Sequence, residues 1–268
     1  MSPVHFLRAA ALLTVLGVTT AHGQALSSQP REAAARAAQQ AAADKARPAV
    51  EAERTRPRLS GIWRLAAPVT ELRGTDGKPP ALTPDGQKLL RTRAAALKAG
   101  KGDDPADRCL PPGMPRLMFT DAPFLLAQAP VKVTVFSQHR HVVRHVFLDG
   151  PLKLSDDADP TWEGYSSGRW EGDTLVIESN GFNEKMWFTQ GGLPHTRYLH
   201  LTERFSRPDF DTLSYEVTVD DPGAYTRPWT GGFSVKWNYT SWDGTEAGEI
   251  HEYFCQDNNR DVQHMVGN

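Results

Sequence analysis

From Leu59 onward the chain is dominated by short runs in which apolar and polar positions alternate with period two, the pattern of strands that bury one face. Leu59 to Leu65 reads as a first strand. A helix follows, with Thr83 as N-cap, Pro84 at its first position and Gly100 past its end. Asp103 to Pro123 is rich in proline and polar residues and reads as a loop. Val131, Val133 and Val135 alternate, and His139 to Leu148 returns as a second strand. Gly168-Arg169-Trp170 and Leu175 to Glu178 form a short hairpin around Glu171-Gly172-Asp173, and Asn180-Gly181 marks another turn. Arg197 to Phe205 pairs with Thr212 to Asp220 across an Arg207-Pro208-Asp209 turn, and Asp220-Asp221-Pro222-Gly223 ends the second strand. Phe233 to Trp242 and Glu249 to Cys255 flank Asp243-Gly244. Nine or ten strands linked mostly as neighbours predict a mainly β fold: an antiparallel, lipocalin-like β-barrel or a strongly curved sandwich with one long helix.

The N-terminal residues follow another pattern. His5 and Arg8 precede an apolar run from Ala9 to Val18, and small residues surround Ala21-His22-Gly23, as in a secretory signal peptide over residues 1–23. The run is shorter than the ~20 residues a membrane span requires, so membrane insertion is not expected. Export to the periplasm or medium is. Residues 24–58 are alanine-rich and almost free of large apolar side chains, which predicts a helical or disordered tether. The barrel domain is expected over 59–260, with a C-terminal tail over 261–268.

In an oxidising compartment the two cysteines, Cys109 and Cys255, are expected to pair. The alternative, a reactive Cys109 thiol, finds no base among Leu110, Pro111 and Pro112. The formal net charge is −2, one unit more negative once Arg8 leaves with the leader, and basic residues are interspersed with acidic ones. That excludes a nucleic-acid partner. The chain has no nucleophile elbow, phosphate-cradling glycine loop or nucleotide fingerprint, so no cofactor is expected.

Candidate chemistry centres on Glu203. Alternation places it with Leu199, Leu201 and Phe205 on the apolar face of its strand, where a carboxylate is either paired with a cation or kept protonated by desolvation. An ion pair with an arginine of a neighbouring strand and an acid-base role are both open. His195, between Pro194 and Thr196 on a loop entering that strand, is the candidate partner as general base or orienting group. Trp187, Phe188, Tyr225 and Trp229 fall on loops at the expected barrel mouth, as a platform for a flat or apolar ligand or as lids packed on its end. His139 and His141, two apart on the expected strand, would share a face as two metal ligands lacking a third, so no resident metal is expected and a metal-dependent enzyme is the weaker alternative. Asp220 alternates away from Tyr215, Val217 and Val219, which argues against a two-carboxylate glycosidase.

Several motifs carry a resemblance. Gly61-Ile62-Trp63 looks like the G-x-W start of lipocalins, where the tryptophan plugs one barrel end, although the T-D-Y signature of that family is missing. Gly164 to Val176 (GYSSGRWEGDTLV), Gly181-Phe182-Asn183-Glu184, Pro194-His195-Thr196, Glu203-Arg204-Phe205, Asp221 to Thr226 (DPGAYT) and Glu252 to Gln256 are similar to a large group of uncharacterised exported bacterial proteins. The resemblance spans Leu59 to Arg260 and implies an architecture and export, with no catalytic residue to carry over. The expected function is an exported barrel that binds an apolar or aromatic small molecule. Two forms stay open: a cofactor-independent acid-base enzyme (lyase, hydratase or isomerase) using Glu203 and His195, and a non-catalytic carrier.

Overall fold

The computed structural model describes residues 33–34, 36–38, 40–41, 56–151, 154, 157–237 and 249–255. The expected leader, most of the tether, the Asp243-Gly244 turn and the C-terminal tail lie outside the described residues. The chain divides into two compact units, residues 1–47 and 48–268. In the first, the described residues are helical, as alanine with arginine and glutamine favours.

In the second unit nine strands close a barrel in sequence order: β1 (Gly61–Leu65), β2 (Phe124–Ala129), β3 (Lys132–Ser137), β4 (Val143–Phe147), β5 (Tyr165–Glu171), β6 (Thr174–Asn180), β7 (His200–Asp209), β8 (Thr212–Asp220) and β9 (Trp229–Trp237), which returns to β1. Eight of the nine junctions are antiparallel, as the sequence predicts. The exception is β4–β5, which is parallel and held by only two residue pairs, Val146 with Ser166 and Phe147 with Ser167. A parallel junction needs a long crossover, and residues 148–164 supply it. The barrel wall therefore has its fewest paired residues at this seam.

The long helix, α1 (Pro84–Lys98), starts as expected: the Thr83 hydroxyl accepts the Gly86 N–H at 3.0 Å and Pro84 occupies the first turn. Gly86 faces the Ala224 carbonyl so closely that a Cβ there would lie 2.3 Å from its oxygen. The hairpin turn between β5 and β6 is Gly172-Asp173, with Gly172 at φ 59, a left-handed conformation that glycine adopts without strain.

Phe124 to Ala129, for which the sequence reading makes no assignment, is strand β2, its pairing with β1 and β3 outweighing the helix propensity of leucine, alanine and glutamine. Three expectations need correction. His139 to His141 is a 3-10 turn, with Arg140 and His141 at φ 62 and 49, and the strand begins only at Val143. Arg207-Pro208-Asp209 stays within β7, where an irregularity between Ser206 and Asp209 accommodates the proline and Phe210-Asp211 makes the turn. Glu249 to Cys255 is irregular rather than a strand. It lies along the 139–141 turn: the His251 N–H donates to Gln138 Oε1 at 2.9 Å, and His141 Nε2 donates to the His251 carbonyl at 3.1 Å.

The disulfide joins Cys109 to Cys255 and ties this segment to the early loop. Inside the barrel, alternation does what the sequence predicts. Leu201, Glu203 and Phe205 of β7 and Tyr215, Val217 and Val219 of β8 are buried, while Asp220 is exposed. Trp63 is fully buried, its indole N–H donates to the Leu59 carbonyl at 3.0 Å, and Arg207 lies 5.1 Å from its ring.

Candidate functional site

Glu203 is fully buried, and what it meets is a cation. Arg144, on the inward face of β4 in phase with Val142 and Val146, reaches across the barrel interior and donates to Glu203 Oε1 at 3.0 Å and to Oε2 through its second terminal nitrogen. Tyr215 donates to Oε1 at 2.9 Å. The rest of the guanidinium is satisfied by hydroxyls: Ser166 accepts at 3.2 and 3.0 Å, and Ser179 at 2.8 Å. Arg144, Ser166, Ser179, Glu203 and Tyr215 come one each from β4, β5, β6, β7 and β8. Burial opposes the Arg144 charge, yet the attraction of Glu203 outweighs it and raises the guanidinium above its ordinary value. Burial, reinforced by the Glu203 charge, pushes the Tyr215 phenol up. The arginine partner does not come from a strand beside β7: β5 and β6 lie between the two.

On this network opens a cavity of about 940 Å³ at the β4–β5 seam. Its walls include Val143, His145 and Phe147 of β4, Trp162 and Glu163 of the crossover, and Tyr165 of β5, with Arg144 among its lining residues. Glu163 is the anomaly. Both its carboxyl oxygens are shielded from solvent and have no hydrogen-bond partner among the described residues, and Thr161 Oγ1, on the same cavity, has none either. Burial pushes the Glu163 carboxyl up to about 7 from an ordinary 4.5; nearby Arg144 pulls it down and Glu203 pushes it further up.

This shift has a consequence for stability. The folded chain keeps the Glu163 proton to higher pH than the unfolded chain, so the contribution of this group is complete below pH 4.5 and is lost as pH rises to about 7. The loss is about 3 kcal/mol at most, from ~1.4 kcal/mol per pH unit. Glu163→Gln should match the wild type at about pH 4 and exceed its stability by up to that amount at about pH 8 in urea melts. A difference that stays constant across this range would show that the carboxyl is not held protonated.

His195 lies elsewhere in the structure. It is buried, stacked on Phe188 at 5.2 Å between centroids, with Nδ1 3.2 Å from the Thr196 carbonyl. Burial lowers its pKa, so the imidazole is neutral. Asp221 holds the surrounding loop by accepting from the Thr196 N–H and hydroxyl at 2.5 and 2.6 Å and from the Gly223 N–H at 3.1 Å. Among the described residues no hydrogen bond joins His195 to Glu203. Trp187, Phe188, Tyr225 and Trp229 are all buried in packing. Arg93 covers Trp187 at 4.8 Å, Tyr225 donates to the Pro194 carbonyl at 2.7 Å, and Tyr225 meets Trp229 edge to face at 5.5 Å. None of the four lines the seam cavity.

The metal reading of His139 and His141 loses its geometric basis, since they sit on a left-handed turn and not on one strand face. Both rings pack near Tyr253, His141 commits its Nε2–H to His251, and burial followed by repulsion from Arg140 and Arg116 lowers His139 to about 4. Among the described residues no three His, Cys, Asp or Glu side chains gather as a ligand set.

Arg144 and Glu163 are the residues sequence reasoning missed. Arg144 carries a readable signal, its phase with Val142 and Val146. Glu163 has none, because the crossover follows no period. No protein-family model and no curated protein matches the chain.

Proposed function

We propose that this chain is an exported barrel that binds an apolar or aromatic small molecule in the seam cavity. The carrying observation is the cavity itself: about 940 Å³, walled by Val143, Phe147, Trp162 and Tyr165, with the buried polar groups Arg144, Glu163 and Thr161 as orienting contacts. The sequence features of a leader and the Cys109–Cys255 disulfide support export to an oxidising compartment. Glu203 supports binding over chemistry at that residue, because both its oxygens are engaged by Arg144 and Tyr215. A proton-transfer enzyme is the second reading, favoured by one observation: Glu163, with its carboxyl pushed to about 7, lines the same cavity as His141 and His145.

Val143, half exposed on the cavity wall, gives the test. Val143→Trp should obstruct the cavity and weaken binding of the neutral fluorophore N-phenyl-1-naphthylamine by about tenfold or more, whereas Val131→Trp, on a similarly exposed valine outside the cavity, should leave it unchanged. Equal affinity in the wild type and both variants, or no binding in any of them, would sink this reading.

A further inference from the structure

We infer that the seam cavity selects uncharged ligands bearing a carbonyl-type hydrogen-bond acceptor, and that Glu163, as a neutral acid, donates the hydrogen bond that recognises them. The inference rests on the cavity being the binding site. An unpaired buried carboxylate costs several kcal/mol, and the described residues give Glu163 no donor. Arg144, whose charge acts on Glu163, is already engaged by Glu203, Ser166 and Ser179. Carboxylic acid is then the form that fits, and it presents an O–H that needs an acceptor. Burial raising the group to about 7 agrees with this.

The charges around Glu163 decide which ligand supplies the acceptor. Arg144 faces it from β4 and Glu203 from β7, and these two cancel. Arg140 and His141 line the cavity from the 139–141 turn, His145 from β4, and Asp149, exposed, from the crossover. With Arg144 neutralised by Glu203, a cationic ligand would meet Arg140, with the exposed Asp149 in partial compensation. An anionic ligand would find Arg144 already neutralised and would face a carboxyl unable to ionise beside it without repulsion. A neutral carbonyl meets neither penalty and satisfies the Glu163 O–H.

Benzophenone and diphenylmethane share an apolar body and differ in the carbonyl, so competition against N-phenyl-1-naphthylamine between about pH 5 and 9 isolates the contact. Below pH 7 benzophenone should bind about fivefold more tightly than diphenylmethane, and the advantage should fade as pH rises through about 7. Glu163→Gln keeps an N–H donor without titrating, so its advantage should become independent of pH; Glu163→Leu should abolish it at every pH. The histidines remain in both variants, so a pH dependence that persists in Glu163→Gln would assign the effect to them and overturn the inference. Preference for benzhydrylamine over benzophenone below pH 7, where Glu163 is the neutral acid, would overturn it in favour of a cation site. Val143→Trp separates the two levels. Binding that this variant blocks but that ignores Glu163 refutes the ligand class alone, whereas binding that this variant does not affect refutes the cavity as the site.

Discussion

Glu203→Gln should destabilise the barrel by about 3–5 kcal/mol, because it leaves the fully buried Arg144 guanidinium without its counter-charge. Arg144→Met should cost a similar amount near neutral pH by a different route. Its loss leaves the Glu203 carboxylate without its cation in the same interior. Glu203→Gln leaves a charge that does not titrate away, since arginine stays protonated across the usual pH range. Its relief comes from another carboxyl: Arg144 also attracts Glu163, and without Glu203 the Glu163 carboxyl should ionise below its present value and take over as partner. The double replacement Arg144→Leu with Glu203→Leu should cost less than either single change, with the remaining loss set by the hydroxyls of Ser166, Ser179 and Tyr215 that lose their partners. Urea melts at several pH values would check all three variants. A single variant that melts like the wild type at neutral pH would mean that the pair does not govern the barrel interior.

Removing the disulfide should be comparably costly. The bridge joins residues 146 apart in sequence, and closing so long a loop restricts the unfolded chain by about 5 kcal/mol in the chain-entropy model. Cys109→Ser with Cys255→Ser should therefore lower the urea midpoint steeply, and reduction of the wild type should do the same. The local consequence is as specific. The Cys255 end carries His251 and Tyr253 onto the 139–141 turn, and Arg140 and His141 of that turn line the seam cavity. Loss of the bridge should weaken N-phenyl-1-naphthylamine binding even at low denaturant. A protein that loses stability but binds the fluorophore unchanged would separate the bridge from the cavity.

The alternation of Leu199, Leu201, Glu203 and Phe205 was enough to place a carboxylate in the core, and the same logic places Asp220 outside. The Thr83-Pro84 helix start and the Gly172-Asp173 turn were legible for a similar reason: their chemistry acts within a few residues. Phe124 to Ala129 was not, since its helix-forming composition is overruled by pairing with β3 and with β1, which lies on the far side of the helix in sequence. The 139–141 turn was misread because a positive φ at Arg140 and His141 leaves no trace in a run of histidines and valines. His195 and the aromatics Trp187, Phe188, Tyr225 and Trp229 were grouped from their expected loop positions. The fold packs them among Arg93, Pro194, Thr196 and one another, with Trp229 opening β9.

By itself the amino-acid sequence determined the strand periodicity, the inward face of β7, the helix that Thr83 caps and the pair of cysteines that meet, because each depends on local pattern or on a choice with one partner. Only the tertiary structure decided that Arg144 answers Glu203 across two intervening strands, that β4 and β5 run parallel over a two-pair seam, and that Glu163 lies shielded beside the resulting cavity with no hydrogen-bond partner among the described residues. The physical reason is closure: only when β9 returns to β1 do residues distant in sequence share one low-dielectric interior, where the pairing of each charge depends on all the others.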